Sequence, residues 1–421
     1  MRPFRFVSCD DRCTFSIFLR GHFNGNRATP IMPNTSRLGS EGPIHSDVSS
    51  WMSLLKGVAI LEIVAFHFFG DHGAAALRNA VQDGGSTGGA LLWAESMFLQ
   101  ATRVGSQGIH VFFFLSGFGL AASNGMGRLD RRAFILKRMD RLYPAYFVAV
   151  LLCTGIVFLA TARSPDVGAA VDFLAAVALV QNYSVSTINA INGNWWFVGA
   201  LVPMYFVHMF FAETIRANPA RATAFAFAVS FSYKLLVLIL GMNGMVAFDA
   251  GALNPFTAFF LNYVWEFVAG AAVCSAWRAG RLDRILAVPV MLPLFVGLLF
   301  ECAGVFLGFS KSGRIFNDDF FAVAQILLLS AAFLGLRNAM SLEAPLVRLL
   351  VRLGGMSYGL YLVHHPISRL LGDGVLAGAG VIALIPVFVV YFVVCLLVGN
   401  LVESAGKAIF QRHLLPVRQR S

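Results

Sequence analysis

Charge is what this sequence has least of. Only 32 Lys and Arg and 22 Asp and Glu are spread over 421 residues, which excludes a soluble globular chain, where about a quarter of the residues would be charged. Tyrosine is sparse as well, nine residues against forty Phe, so the aromatic content suits side chains that face lipid tails. Six cysteines do not make a disulfide framework. Cys153, Cys274, Cys302 and Cys395 lie inside apolar runs, and Cys9 and Cys13 have no His or Cys neighbour at zinc spacing, so no metal and no redox role is assigned. No basic patch with interleaved aromatics stands clear of the apolar runs, so the net charge of +10 is a topology signal rather than a nucleic-acid footprint. No internal repeat is visible either, which leaves the inverted symmetry common in secondary transporters without support.

What is present is hydrophobicity. With 57% hydrophobic residues and a mean hydropathy of +0.71, the chain is long enough for roughly ten spans of ~20 residues. The expected fold class is all-α, a polytopic helical membrane protein, with forty Gly available for close helix packing.

Three segments are expected. Residues 1–50 are polar and rich in Asn, Ser, Gly and Pro and read as a disordered extension, one that a start at Met32 or Met52 would remove. Residues 51–402 form the membrane domain, and 403–421 a basic cytoplasmic tail. Within the membrane domain the spans begin with Leu54–Gly70, Gly105–Ala122 and a third that opens at Tyr143-Pro144 and ends near Ala162. Further spans lie near 195–212, 222–241, 256–277, 285–308, 318–336, 355–372 and 375–402. The apolar run Val167–Val180 is short and carries Asp172. If it does not cross, the loops with Arg216 and Arg221, with Arg278, Arg281 and Arg284, and with Arg337, Arg348 and Arg352 share one side with the cluster at 128–141 and with the tail. The positive-inside rule therefore favours ten spans, both termini cytoplasmic, and Val167–Val180 as a re-entrant or interfacial helix.

The first span, LLKGVAILEIVAFHFFG, carries Lys56, Glu62 and His67. An ionisable side chain near the bilayer centre costs at least ~2.5 kcal/mol, so each is a functional candidate. Lys56 and His67 are eleven residues apart, three turns plus roughly 20°, so they share one face at a separation of about 16 Å. Glu62 falls off that stripe. Lys56 also fits a snorkelling cation, and His67 a buried hydrogen-bonded ring. An imidazole with its pKa near ~6.5 is suited to take a proton from a hydroxyl at neutral pH.

On a helix, Arg131, Arg138 and Arg141 fall at i, i+7 and i+10 on one face, and Arg forks match phosphate oxygens in bidentate fashion. They would meet an anionic substrate at the cytoplasmic mouth, on the side of Lys56, although such a cluster also orients a span. Weaker candidates follow. Glu266, in NYVWEFVAGAA, is most simply a buried partner for a cation or hydroxyl. Ser116, in FFFLSGFG, is more readily a packing residue than a nucleophile. Tyr358, Tyr361, His364 and His365, in MSYGLYLVHHPI, form a polar stripe on an apolar helix, with Tyr361 and His364 on one face, and are candidates to line the cavity of His67. Asn194, Trp195 and Trp196 read as an interfacial anchor, and His110 and His208 as structural.

Taken together these blocks resemble the membrane-bound acyltransferase-3 family of bacteria, whose members acylate hydroxyls of cell-surface sugars and related acceptors. The likeness runs from about residue 51 to 402 in the family's order. A basic residue, ten others and a His are met by Lys56 and His67, where the family usually has Arg first. The FFxLSGF block is met by Phe113–Phe118, Arg-x-x-Arg before Tyr-Pro by Arg138, Arg141, Tyr143 and Pro144, and SYxxYLxH by Ser357, Tyr358, Tyr361, Leu362 and His364. Leu201 stands four residues before Tyr205, where many members have Glu, so no catalytic carboxylate is carried over there. The esterase-like domain that some members carry does not follow residue 402, which leaves the acceptor to the membrane domain or to a separate partner.

The resemblance implies transfer of an acyl group, expected to be acetyl, from cytoplasmic acyl-coenzyme A to a hydroxyl of a cell-surface or exported carbohydrate or related acceptor, free or lipid-linked. Lys56, Arg138 and Arg141 would bind the donor, and His67 would be the general base or a transient acyl carrier. The expected location is the bacterial inner membrane, with membrane lipid around the chain, no bound cofactor and no nucleic acid. The alternatives are a transporter that moves an anionic solute without chemistry, and a non-catalytic membrane subunit.

Overall fold

The computed structural model describes residues 44–77, 89–124, 129–161, 166–246, 253–281, 288–339, 344–372 and 380–418. The chain divides into Met1–His45 and Ser46–Ser421. Residues 1–43 of the polar arm lie outside the described residues, and residues 44–50 already belong to the first helix. Every regular element among the described residues is helical, and the α-helices longer than two turns are α1 (Ile44–Phe68), α2 (Gly89–Arg103), α3 (Gly108–Ser123), α4 (Arg131–Thr161), α5 (Val167–Val177), α6 (Trp196–Ala217), α7 (Pro219–Met242), α8 (Val264–Arg278), α9 (Met291–Gly308), α10 (Asn317–Ala339), α11 (Pro345–Leu370) and α12 (Leu384–Arg418).

Among the described residues nine helices are long and apolar enough to cross a membrane, counting Gly89–Ser123 as one. This is a multi-pass helical membrane protein. The expected second span proves to be the second half of a longer crossing, in which α2 passes through the 3-10 turn Val104–Gln107 into α3. The third begins earlier than the Tyr143-Pro144 pair suggests. Arg131–Arg141 form the first turns of α4, which continues through Pro144 even though proline removes one backbone hydrogen bond there.

The span expected over 256–277 is also different. Its first residues are a turn and the 3-10 segment Phe260–Asn262, and only Val264–Arg278, 15 residues, is α-helical. Polar side chains explain the break. Asn262 Nδ2 donates to the carbonyl of Phe256 at 2.7 Å and Tyr263 Oη to that of Thr257 at 2.9 Å, which holds the backbone off the helical path. By itself α8 is ~22 Å long, short of the ~30 Å hydrocarbon core. Yet it runs beside the whole of α3, from Glu266 against His110 at one end to Arg278 against the Ala121–Asn124 carbonyls at the other. It therefore covers the same depth as α3, the second half of the Gly89–Ser123 crossing.

Helix α5 has 11 residues and is ~16 Å long, too short to cross. Asp166 caps it by accepting the Ala169 N–H at 2.6 Å, and Leu179, at φ 61°, turns the chain away just beyond its end.

Lipid tails are as apolar as leucine, so helices in a membrane associate through close packing and polar contacts rather than through hydrophobic burial. Glycines set the approach here. A Cβ on Gly117 of α3 would strike the Phe267 carbonyl of α8, and one on Gly270 the Phe114 carbonyl. Helices α1 and α11 lie side by side in the same direction, from Ser53 near Gly354 to His72 near Ser368. Outward, Leu159, Phe225 and Phe306 are exposed in the way a lipid-facing surface requires.

Adjacent glycines on α11 give a test of this packing. A Cβ on Gly354 would collide with the Ser53 backbone, whereas one on Gly355 meets nothing within 4 Å. Gly354→Ala should lower stability by about 1–3 kcal/mol, while Gly355→Ala should leave it unchanged or slightly raised, as read by thermal unfolding of the purified protein in detergent. Equal effects would remove the close approach from the account.

Candidate active site

Helix α1 sets out the site. Lys56 and His67 both lie within its unbroken length, so their shared face and separation of about 16 Å hold in the fold. Near Lys56, the charge of Arg141 is close enough to repel it, and Tyr358 of α11 donates its hydroxyl to the Leu142 carbonyl at 2.9 Å. Arg138 and Arg141 both act electrostatically on the buried Tyr205. One end of the bundle therefore gathers Lys56, Arg138, Arg141, Tyr205 and Tyr358. Arg138 is buried, with its Nη2 donating to Ser123 Oγ at 2.8 Å, its guanidinium 5.6 Å from the Phe134 ring centre, and its Nε without a partner among the described residues. A 290 Å³ cavity lies against it, lined by Ser123, Phe134, Lys137 and Arg216 and also by the carboxylates of Asp130 and Glu213.

His67 stands at the other end of that face. Its ring centre is 5.3 Å from that of His364 and 5.5 Å from that of His365. Among the described residues it has ring neighbours and no hydrogen-bond partner. His364 differs. Its Nδ1 is 2.8 Å from the Tyr361 carbonyl, which can only accept, so Nδ1 carries the hydrogen and Nε2 accepts from Asn194 Nδ2 at 3.1 Å. With both nitrogens engaged, His364 has no lone pair left for a substrate proton. Tyr361 is buried beside it, ring centres 5.8 Å apart, so these two residues do share a face, while Tyr358 serves the opposite end.

Directly after α1, the helix widens into the π-helical turn Phe69–Gly73, an insertion often found at functional sites. It carries Asp71, 3.9 Å from His365 Nε2, and His72, whose Nε2 is 3.0 Å from Ser368 Oγ. Asp71, His72 and Ser368 are absent from the sequence-based candidates. Their signal, a polar FGDHG closing an apolar span, is visible in the sequence, but pairing it with residues some 296 positions away needs the fold. Among the described residues no three metal-ligating side chains converge on one point.

The reading of Asn194, Trp195 and Trp196 as an interfacial anchor is overturned. Asn194 and Trp195 are buried, and Trp195 Nε1 donates to the Leu362 carbonyl at 3.1 Å, so this segment braces the His364 turn of α11. Glu266 stands apart from the His67 cluster. It is fully buried and its Oε1 is 3.0 Å from His110 Nδ1, which makes it the buried partner expected, with His110 as the cation or donor. Beside it Lys234 pairs with Asp319 at 2.7 Å, and Trp265 Nε1 donates to the same carboxylate at 2.9 Å. Ser116 is half-buried next to the close-packed Gly117, in keeping with packing. Leu201 is a buried core residue.

The multi-pass bundle thus has Lys56 at one end of the α1 face and a histidine cluster at the other. A model of the acyltransferase-3 family, described as an acyltransferase domain, matches residues 49–402, and the chain belongs to that family. No curated protein and no solved structure matches it.

The Glu266–His110 pair is open to a direct test, because breaking a buried pair leaves one group stranded while replacing both need not. Glu266→Leu should destabilise by about 3 kcal/mol or more. The double change His110→Leu, Glu266→Leu should recover most of that loss in thermal unfolding. If the double variant is as unstable as the sum of the single ones, the pair is not what holds these residues in place.

Proposed function

We propose that this acyltransferase moves an acyl group, in the simplest case acetyl, from coenzyme A on the cytoplasmic side to a hydroxyl of a cell-surface or exported carbohydrate or related acceptor. The observation that carries this reading is the arrangement about α1, with Lys56 and, from α4, Arg138 and Arg141 at one end and the His67 ring, without a hydrogen-bond partner among the described residues, at the other. The donor's phosphates would bind at the guanidinium forks, with the acyl thioester reaching toward the level of His67. There His67 takes the proton as the hydroxyl oxygen attacks the thioester carbonyl. The C–O bond forms, the C–S bond breaks, and the thiolate takes up a proton, leaving the ester and free coenzyme A.

His364 would hold its neighbour's ring in place rather than exchange protons, because both of its nitrogens are already bonded. The protein would sit in a bacterial inner membrane with both termini cytoplasmic. Support for that orientation comes from Arg216, Arg281 and Arg348, which share one side when α8 counts as a crossing.

Two expected outcomes follow. Reporter fusions after Arg216, Arg281 and Arg348 should all read cytoplasmic, and a periplasmic signal at Arg281 would refute the ten-crossing orientation. His67→Gln keeps size and some hydrogen bonding but cannot take a proton near neutral pH. It should fold and still be stabilised by coenzyme A, yet lose about 10²- to 10⁴-fold in acyl transfer. The check is mass spectrometry of surface polysaccharide and lipids from cells carrying either form. Acylation near the wild-type level at normal protein abundance would take His67 out of the mechanism.

A further inference from the structure

Arg138 is anchored from behind by groups that make no part of the transfer itself. Helix α3 ends at Ser123, where its last carbonyls have no partner within the helix. Arg278, at the end of α8, supplies one. Its Nη1 donates to the carbonyls of Ala121 at 2.9 Å and Asn124 at 2.7 Å, and its Nη2 to that of Ala122. A cation at a helix C-terminus is favourable in itself, and a fork that bridges three carbonyls also fixes the shape of the turn.

Ser123 sits inside that turn with its hydroxyl orientation determined. Its Oγ–H donates to the Leu120 carbonyl at 3.0 Å, so its lone pairs are left to accept from Arg138 Nη2 at 2.8 Å. The Phe134 ring supports the guanidinium at 5.6 Å. With one edge tied in this way, Arg138 lines the 290 Å³ cavity as one of three cations, with Lys137 and Arg216, against the two carboxylates of Asp130 and Glu213, and its buried Nε has no partner among the described residues. A guanidinium fixed at that wall can offer its remaining N–H groups to the oxygens of a phosphate.

We infer that Ser123 and Arg278 are positioning residues of the donor site: Arg278 shapes the end of α3 so that Ser123 holds the Arg138 guanidinium ready for a phosphate oxygen. The inference rests on the reading of Arg138 as a donor-binding residue. It assigns a role to two residues that sequence reasoning passed over, one as a topology signal and the other unnoticed at a helix end. It also explains why a hydroxyl stands where a bare helix terminus would serve packing equally well.

The test is a double-mutant cycle on the full-length protein in lipid nanodiscs, with coenzyme A as the probe and calorimetric binding as the readout, alongside thermal unfolding without ligand. Ser123→Ala should weaken coenzyme A binding by about 10-fold, and Ser123→Thr, which keeps the hydroxyl, should restore it. Arg278→Lys keeps the charge but loses the fork and should weaken binding in the same direction. In an Arg138→Ala background neither change should weaken binding further, because the residue they position is gone. Additive effects in that background, or wild-type affinity in both Ser123→Ala and Arg278→Lys, would overturn the positioning role while leaving Arg138 as a donor ligand. Unchanged affinity in Arg138→Ala would overturn both. If Ser123→Ala does not fold, Arg278→Lys completes the same cycle.

Discussion

Where α1 meets α11, backbone lies almost on backbone, because Gly57 and Gly354 leave no side chain between the helices. The rest of the site depends on that approach. Two helices running in the same direction at this distance bring every third or fourth residue of one against the other, so the contact that begins at Ser53 and Gly354 continues to His67 beside His364 and His365 and ends at His72 beside Ser368. In a bilayer there is no hydrophobic gain from pairing apolar helices. Dispersion at close range and these few polar contacts must hold the seam together.

Polar groups elsewhere obey the same constraint. A buried donor or acceptor without a partner is more costly in hydrocarbon than in a soluble core, and the bundle meets this by collecting polar groups into pairs: Lys234 with Asp319, Glu266 with His110, Gln107 with Glu301 at 2.7 Å. All three pairs bridge helices. Among the described residues Arg138 Nε of α4 and the ring nitrogens of His67 have no hydrogen-bond partner, and in the proposed transfer the Arg138 end serves the charge of the donor and His67 the proton of the acceptor.

Much of this was legible in the residues alone. The multi-pass all-α fold follows from hydropathy, since a chain so poor in charge has no surface to offer water. The Lys56–His67 stripe follows from helix geometry, which is local and holds over an unbroken α1. Tyr361 and His364 were correctly placed on one face for the same reason. Glu266 was correctly expected to have a buried partner, because a carboxylate buried in mid-span is costly without one. The errors share a cause as well. The start of α4, where Asp130 accepts the Ala133 N–H, and the break before α8, where Asn262 and Tyr263 bind backbone carbonyls, depend on side-chain contacts with neighbouring backbone that a hydropathy average hides. Asn194 and Trp195 looked like an anchor because composition cannot tell a membrane surface from a polar turn folded into the bundle.

The sequence by itself determined that the chain would cross a membrane as helices and that Lys56 and His67 would share one face, because both are set by hydropathy and by periods of a few residues. Only the tertiary structure decided which polar groups meet. That His364 is tied by Asn194, that Arg278 closes α3, and that Ser123 holds Arg138 are contacts across as many as 170 positions. They come from how the helices pack, and that packing is governed by the fit of glycine-lined faces rather than by any local pattern.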